Sequence, residues 1–224
     1  MRSRLKKITA ACVLAVALTA LTASAAFAFP NWYVKKGTSW LPVESAVHVT
    51  VEGKFGFLDS HGVELGLSCP ISGKATLKAN GAAEITEFHV ANVSNCTPLG
   101  KNFPCTQIER FEAANIPWAT ELYWAVPGSE IRERLTGAEP HTPEFNFLCK
   151  TSLGERSDTC QLNTSARLTN VESTGEVWAE FDSKSAKTKC SQGGTEPTGT
   201  PSEVLKLKPT AEEKAKGISG IGVE

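Results

Sequence analysis

The four histidines, His48, His61, His89 and His141, are the side chains best suited to acid–base chemistry near neutral pH. No two of them have the H-E-x-x-H spacing with which a zinc protease places two imidazoles on one helix face. No serine stands in a G-x-S-x-G motif, since the nearest match, residues 217–221, ends in isoleucine. The sequence therefore predicts no catalytic residue, no metal site and no cofactor. Because a Ser-His-Asp triad assembles only in space, a hydrolase with catalytic residues on loops stays open as an alternative.

Carboxylates are the next candidates, because glycoside hydrolysis needs two acids on either side of a cleft. In this chain the acids alternate with apolar residues, which is typical of the solvated face of a half-buried sheet. We therefore expect a structural surface role for these side chains: Glu84, Glu87, Glu121, Glu176, Glu180 and Asp182.

Five tryptophans are the most suggestive remaining feature, because exposed aromatic rings stack on sugars or anchor protein partners. The candidates for such a binding surface are Trp118, Trp124 and Trp178. Trp178 is expected to face outward if its neighbours Val177 and Ala179 face the core.

Residues 1–28 have the three parts of a secretory signal: a basic start, an apolar stretch and the small-x-small site Ala26-Phe27-Ala28. We expect cleavage after Ala28 and a secreted, extracellular protein. Residues 29–224 carry 19 basic and 24 acidic side chains, a balance that disfavours nucleic acid and anionic membranes as partners. We see no lipid attachment motif and expect no membrane anchor.

An even set of cysteines in an exported chain predicts disulfides, and residues 29–224 contain six. No pair has the C-x-x-C spacing of redox or zinc motifs. Two short separations bracket turn-like segments, which favours the local pairs Cys96–Cys105 and Cys149–Cys160. The pair that then remains is Cys69–Cys190.

Alternating apolar residues run through most of the chain, as in residues 47–51, 63–69 and 176–181. Asn80-Gly81 lies between two such runs and predicts a tight hairpin, because a type I′ turn needs positive φ at both positions. Residues 129–137 fit a helix or a strand, and we favour a strand. The expected fold is an all-β antiparallel sandwich or barrel stapled by three disulfides. One β domain should span residues 29–195, followed by a flexible tail over residues 196–224.

Three blocks in the second half of the chain, residues 117–123, 180–183 and 190–194, resemble stretches in uncharacterised secreted proteins of Gram-positive soil bacteria. The resemblance implies an exported, disulfide-stapled protein. It implies no activity, cofactor or catalytic residue.

These observations favour a secreted, non-enzymatic domain with an interaction or structural role. The expected partner is an unknown extracellular protein or a glycan, and we expect a monomer. A carbohydrate-binding module that uses tryptophan platforms is the first alternative, and the loop-based hydrolase is the second.

Overall fold

A computed structural model describes most of the chain after residue 28. The described ranges are residues 29–59, 65–90, 92–99, 106–137, 142–152, 154–181, 187–190 and 204–224. The expected signal with its cleavage site after Ala28 lies outside these ranges, as do His61, His141 and Asp182.

Eight antiparallel strands form a closed barrel and confirm the all-β class. They pair in chain order, and the last strand pairs with the first, which closes the ring. The barrel strands are β3 (Val47–Asp59), β4 (Leu65–Leu77), β5 (Ala82–Val90), β8 (Trp118–Val126), β9 (Glu130–Leu135), β12 (Ser165–Val171), β13 (Glu176–Phe181) and β15 (Val204–Pro209).

The barrel interior follows from the two-residue period of its strands. Val47, Val49 and Val51 of β3 are buried inside, while His48 and Thr50 between them face outward. The predicted hairpin joins β4 to β5, and φ is positive at both Asn80 and Gly81. Residues 129–137 contain the strand β9, as we expected.

Three insertions between barrel strands leave from the same end of the barrel and build a second sheet. The insertions contain β6 (Thr97–Leu99), β7 (Gln107–Ala114), β10 (Glu144–Thr151), β11 (Gly154–Asn163) and β14 (Lys187–Cys190). The four antiparallel strands of the second sheet have the spatial order β14-β11-β10-β7.

Aromatic rings join this second sheet to the barrel. Phe55 of β3 lies 6.5 Å from Phe111 and 6.0 Å from Phe145, measured between ring centroids, and 5.6 Å from Phe88 of β5. Phe111 and Phe145 are stacked at 5.1 Å. This phenylalanine cluster, Phe55, Phe88, Phe111 and Phe145, covers one end of the barrel interior.

A three-stranded sheet lies at the opposite end of the barrel. Its strands are β1 (Trp32–Lys36), β2 (Ser39–Pro42) and β16 (Ile218–Val223), and the short helix α1 (Ala211–Ala215) precedes β16. The spatial order is β16-β1-β2, and α1 connects β15 to β16.

The expected flexible tail over residues 196–224 is wrong for residues 204–224. Strand β15 pairs with β13 on one side and β3 on the other, so it is needed to close the barrel. Ile218, Ile221 and Val223 of β16 are buried. Gly220 lets this strand approach Gly175 closely, because a Cβ on Gly220 would lie 2.9 Å from the Gly175 Cα. Residues 218–223 therefore pack in the structure although they have few apolar side chains, because their glycines let the backbone of β16 contact the neighbouring chain directly.

The expected disulfide pairing is also wrong. Cys69 is bonded to Cys96, which excludes both Cys96–Cys105 and Cys69–Cys190. Cys149 and Cys160 are disulfide-bonded cysteines. They are not bonded to each other, because Cys149 lies opposite Arg156 and Cys160 opposite Phe145 in the β10–β11 ladder. Four positions along a strand separate them by about 13 Å, well beyond the reach of a disulfide.

Candidate ligand-binding site inside the barrel

An apolar cavity lies inside the barrel, next to the phenylalanine cluster. Its volume is about 60 Å³. Because an apolar cavity of about 150 Å³ holds a benzene molecule, this smaller space admits only a thinner or shorter apolar group. The apolar part of its wall consists of Val51, Phe55, Ile85, Phe88, Trp118, Leu135, Leu162, Phe181 and Leu205.

Glu133 is a carboxyl group on the wall of this cavity. It lies in β9 between Ile131 and Leu135, and the pleat points all three side chains inward. Glu133 is half-buried and is one of the residues that line the cavity. Thr120 Oγ1 of β8 donates a hydrogen bond to Glu133 Oε1 at 2.5 Å. Burial raises the pKa of Glu133 and the Thr120 hydrogen bond lowers it, with burial the larger effect.

Thr164 supplies a second polar group, and its hydroxyl is unpaired. The residue is 4% exposed, borders the cavity, and its Oγ1 finds no hydrogen-bond partner among the described residues. Leaving a buried hydroxyl unpaired costs free energy, so buried hydroxyls in proteins nearly always have a partner. Thr164 therefore indicates a place where a small polar group or a water molecule is expected.

The formal charges nearest the cavity are already paired on the outside of the barrel. Glu87 borders the cavity and accepts a hydrogen bond from Lys74 Nζ at 2.9 Å. Arg134 donates from Nε to Glu121 Oε1 at 2.6 Å and lies over the Tyr123 ring. The polar chemistry of the interior thus comes from Glu133, Thr120 and Thr164.

The three candidate tryptophans occupy three different environments. Trp118 is 1% exposed, lines the cavity and donates from Nε1 to the Ala114 carbonyl at 2.7 Å. Trp118 therefore cannot stack on an external sugar, and its expected place in an exposed platform is wrong. Trp124 is partly buried against the core. Trp178 faces outward, as expected, and its ring lies 5.3 Å from Lys206 Nζ.

Trp40, which the sequence did not single out, is the most exposed of the five tryptophans, at 40%. Together with Tyr33 it lines a surface cleft of about 250 Å³, which Asn170 and Glu172 also line. Gly222 is a further lining residue, and a Cβ there would lie 3.0 Å from the Trp40 ring.

The described histidines lie on the outside of the barrel and do not form a triad with an acid and a serine. His48 Nδ1 is 3.1 Å from Thr76 Oγ1, its neighbour across the β3–β4 ladder. The nearby carboxylate of Glu213 accepts from the backbone N–H of His48 rather than from its ring. His89 lies 3.8 Å from Glu87.

The outer carboxylates have the expected surface role. Lys74, Lys78 and Arg167 pair with Glu87, Glu84 and Glu180, respectively. Within the described ranges no group of three or more histidine, cysteine or acidic side chains could hold a metal ion.

Sequence reasoning missed Glu133 and Thr164, although one signal for Glu133 was present. Once residues 129–137 are assigned to a strand, Glu133 has the same parity as Ile131 and Leu135 and must share their face. An acid on the apolar face of a barrel strand is a marker of a functional interior. Thr164 has no such signal, because it stands between β11 and β12, where the period breaks.

Comparisons with protein-family models, curated proteins and solved structures gave no match. The resemblance to secreted proteins of soil bacteria therefore stays a prediction. In the described part of the chain no helix is long and apolar enough to cross a membrane.

Proposed function

We propose that this protein is an exported, non-enzymatic binding protein that holds a small apolar ligand inside its β-barrel. The observation that carries the proposal is the apolar cavity with the unpaired Thr164 hydroxyl on its wall. Cavities lined mainly by apolar side chains, with a few convergent polar groups and a carboxyl of shifted pKa, are the usual form of small-ligand sites. Eight-stranded barrels are just wide enough for one small ligand.

The volume of the cavity limits the size of the ligand. About 60 Å³ is less than half of the roughly 150 Å³ that holds benzene, so only a short unbranched chain or its apolar end enters the cavity. Such a ligand would contact the side chains of Val51, Trp118 and Leu205 and exclude water from them. Removing apolar surface from water is favourable and would stabilise the complex.

Export and a three-disulfide frame belong to the same proposal. The basic segment and the Ala26-Phe27-Ala28 site support secretion. Besides Cys69–Cys96, we infer a pair Cys160–Cys190, because the backbones of these residues lie directly opposite in the β11–β14 ladder. Peptide mapping without reduction checks this pairing.

A second candidate is glycan binding at the surface cleft of Trp40 and Tyr33, in place of the platform first expected around Trp118. The observation in its favour is that an exposed indole ring lines a cleft together with the carboxylate of Glu172. Sugars combine a face that stacks on aromatic rings with hydroxyls that bind carboxylates.

An NMR titration with n-pentane tests the main proposal. We expect saturable shifts of the methyl signals of Val51, Leu135 and Leu205, which line the cavity. Val51→Phe should abolish these shifts because the larger ring fills the cavity. Thr50→Phe is the matched control. It introduces the same ring one residue earlier, where the side chain points outward, and should leave binding intact.

Two results would argue against the barrel site. The first is the absence of saturable shifts with pentane in a protein that is shown to be folded. The second is a set of shifts located at Trp40 and Tyr33 on titration with soluble glycans, while the cavity methyls remain unaffected by pentane. That second pattern would favour the glycan candidate.

A further inference from the structure

We propose that the barrel cavity selects a small uncharged ligand with a terminal hydroxyl, a short aliphatic alcohol, whose oxygen bridges Thr164 and Glu133. This inference rests on the proposed function, because it names the chemical class of the ligand in the same cavity.

The strand register brings three polar groups, one from each of three neighbouring strands, close together in the barrel. In the β8–β9 ladder Thr120 lies opposite Leu135, and in the β9–β12 ladder Glu133 lies opposite Ala166. The N–H of Leu135 donates to the Thr164 carbonyl at 3.3 Å, so Thr164 is opposite Leu135 on the other side of β9. Thr120 and Thr164 therefore flank Glu133 diagonally from the two neighbouring strands.

Diagonal neighbours of this kind have their Cα atoms about 7–8 Å apart, and a long side chain spans only part of that distance. Glu133 leans toward Thr120 and makes its hydrogen bond there, while the Thr164 hydroxyl is left without a partner. A single oxygen between Thr164 and Glu133 can hydrogen-bond to both, as a bridging water or a ligand hydroxyl does.

A hydroxyl fits this position because it donates one hydrogen bond and accepts others. The Thr164 hydroxyl donates to the ligand oxygen, and the ligand O–H donates to the Glu133 carboxyl. An alkane would leave Thr164 unpaired. The aliphatic end of the alcohol lies against the apolar side chains of Val51, Phe55 and Leu205.

Charged ligands of the same length do not fit. A carboxylate would lose its hydration without gaining a free cation, because Arg134, the cation among the lining residues, is bound to Glu121 on the outer face. An ammonium group would have to lose its hydration in an apolar cavity, which is costly for any ion. Burial also raises the pKa of Glu133, which favours the uncharged acid and weakens its attraction for a cation.

The test compares n-pentane, 1-pentanol, pentanoate and pentylammonium by NMR titration of the full chain, wild type and variants. The quantity measured is the ratio of the dissociation constant of pentane to that of pentanol. We expect Thr164→Val to reduce this ratio by about tenfold, the usual effect of one well-placed hydrogen bond. Thr164→Ser should keep the ratio, and so should Thr169→Val, a threonine on the outside of β12. Pentanoate and pentylammonium should not bind measurably.

An independent measurement uses the wild-type protein, so that a poorly folding variant does not decide the outcome. Nuclear Overhauser effects should connect the C1 methylene of bound pentanol with the Thr164 methyl and the pentanol methyl end with Leu205.

The outcomes separate this inference from the proposed function. If pentane binds in the cavity but the ratio is unchanged in Thr164→Val, or if pentanol binds in the reverse orientation, the hydroxyl bridge is wrong and the barrel site stands. The hydroxyl bridge is also wrong, and the barrel site still stands, if a water molecule bridges Thr164 and Glu133 while pentanol is bound. If neither pentane nor pentanol binds, both proposals are wrong.

Discussion

At the scale of single residues, the interior of this barrel is apolar apart from a few side chains that give it a chemical character. Glu133 is the clearest case, because it is an acid on the same face as Ile131 and Leu135. The sequence contained that information, since the parity of a strand fixes which side chains share a face. The unpaired hydroxyl of Thr164 could not be predicted, because it depends on how two sheets meet at the junction of β11 and β12.

The shifted pKa of Glu133 predicts how stability depends on pH. Burial raises the pKa of the folded state above the value of about 4.3 in the unfolded chain. At pH values below the pKa of Glu133 in the unfolded chain, the carboxyl is protonated in both the folded and the unfolded state. As the pH rises through the folded pKa, the unfolded chain has already ionised, so the folded protein loses stability.

Glu133→Gln removes this ionisation and keeps an oxygen that can accept from Thr120. We expect the variant to gain stability relative to wild type as the pH rises, measured by urea unfolding at pH 4 and pH 8. Glu121→Gln, on the outer face, is the control and should show a much smaller change between the two pH values. A difference between wild type and Glu133→Gln that does not vary with pH would contradict a carboxyl enclosed in the barrel.

At the scale of elements, the strands and the Asn80-Gly81 hairpin could be predicted, because local alternation and turn chemistry determine them. The disulfide pairs and β16 could not be predicted in the same way. Cys69 meets Cys96 because an insertion folds back on the extended β4, which is a contact between distant elements. Strand β16 was missed because its glycines lower the apolar content on which the prediction of a mobile tail depended.

Gly81 gives the hairpin prediction a quantitative test. Its φ is +72°, and a Cβ would lie 2.5 Å from the Pro30 carbonyl oxygen. We expect Gly81→Ala to lower the free energy of unfolding by about 2 kcal/mol or more, since a backbone clash adds to the left-handed conformation.

Gly37 is the matched control, because its φ is +60° but a Cβ there would meet nothing within 4 Å. Gly37→Ala should cost only about 1 kcal/mol. Chemical denaturation of the two variants measures both values. Equal losses would mean that the Pro30 carbonyl and the hairpin are not in close contact.

At the scale of the whole molecule, alternation alone left a sandwich and a barrel equally open, because both have one buried face per strand. The choice is made by long-range pairing, in which β15 returns after the last insertion and joins β13 to β3. The same closure creates the cavity, since the insertion sheet places its phenylalanines at one end of the barrel and the three-stranded sheet lies at the other.

A structure of the protein under xenon pressure is the most direct test of a barrel that holds a small apolar ligand. Xenon enters dry apolar cavities and reports them without any hydrogen bond. We predict one strong xenon site among Val51, Trp118 and Leu205, and none at that position in Val51→Phe. A barrel interior without xenon, filled by repacked side chains or by an ordered water network, would contradict a ligand site inside the barrel.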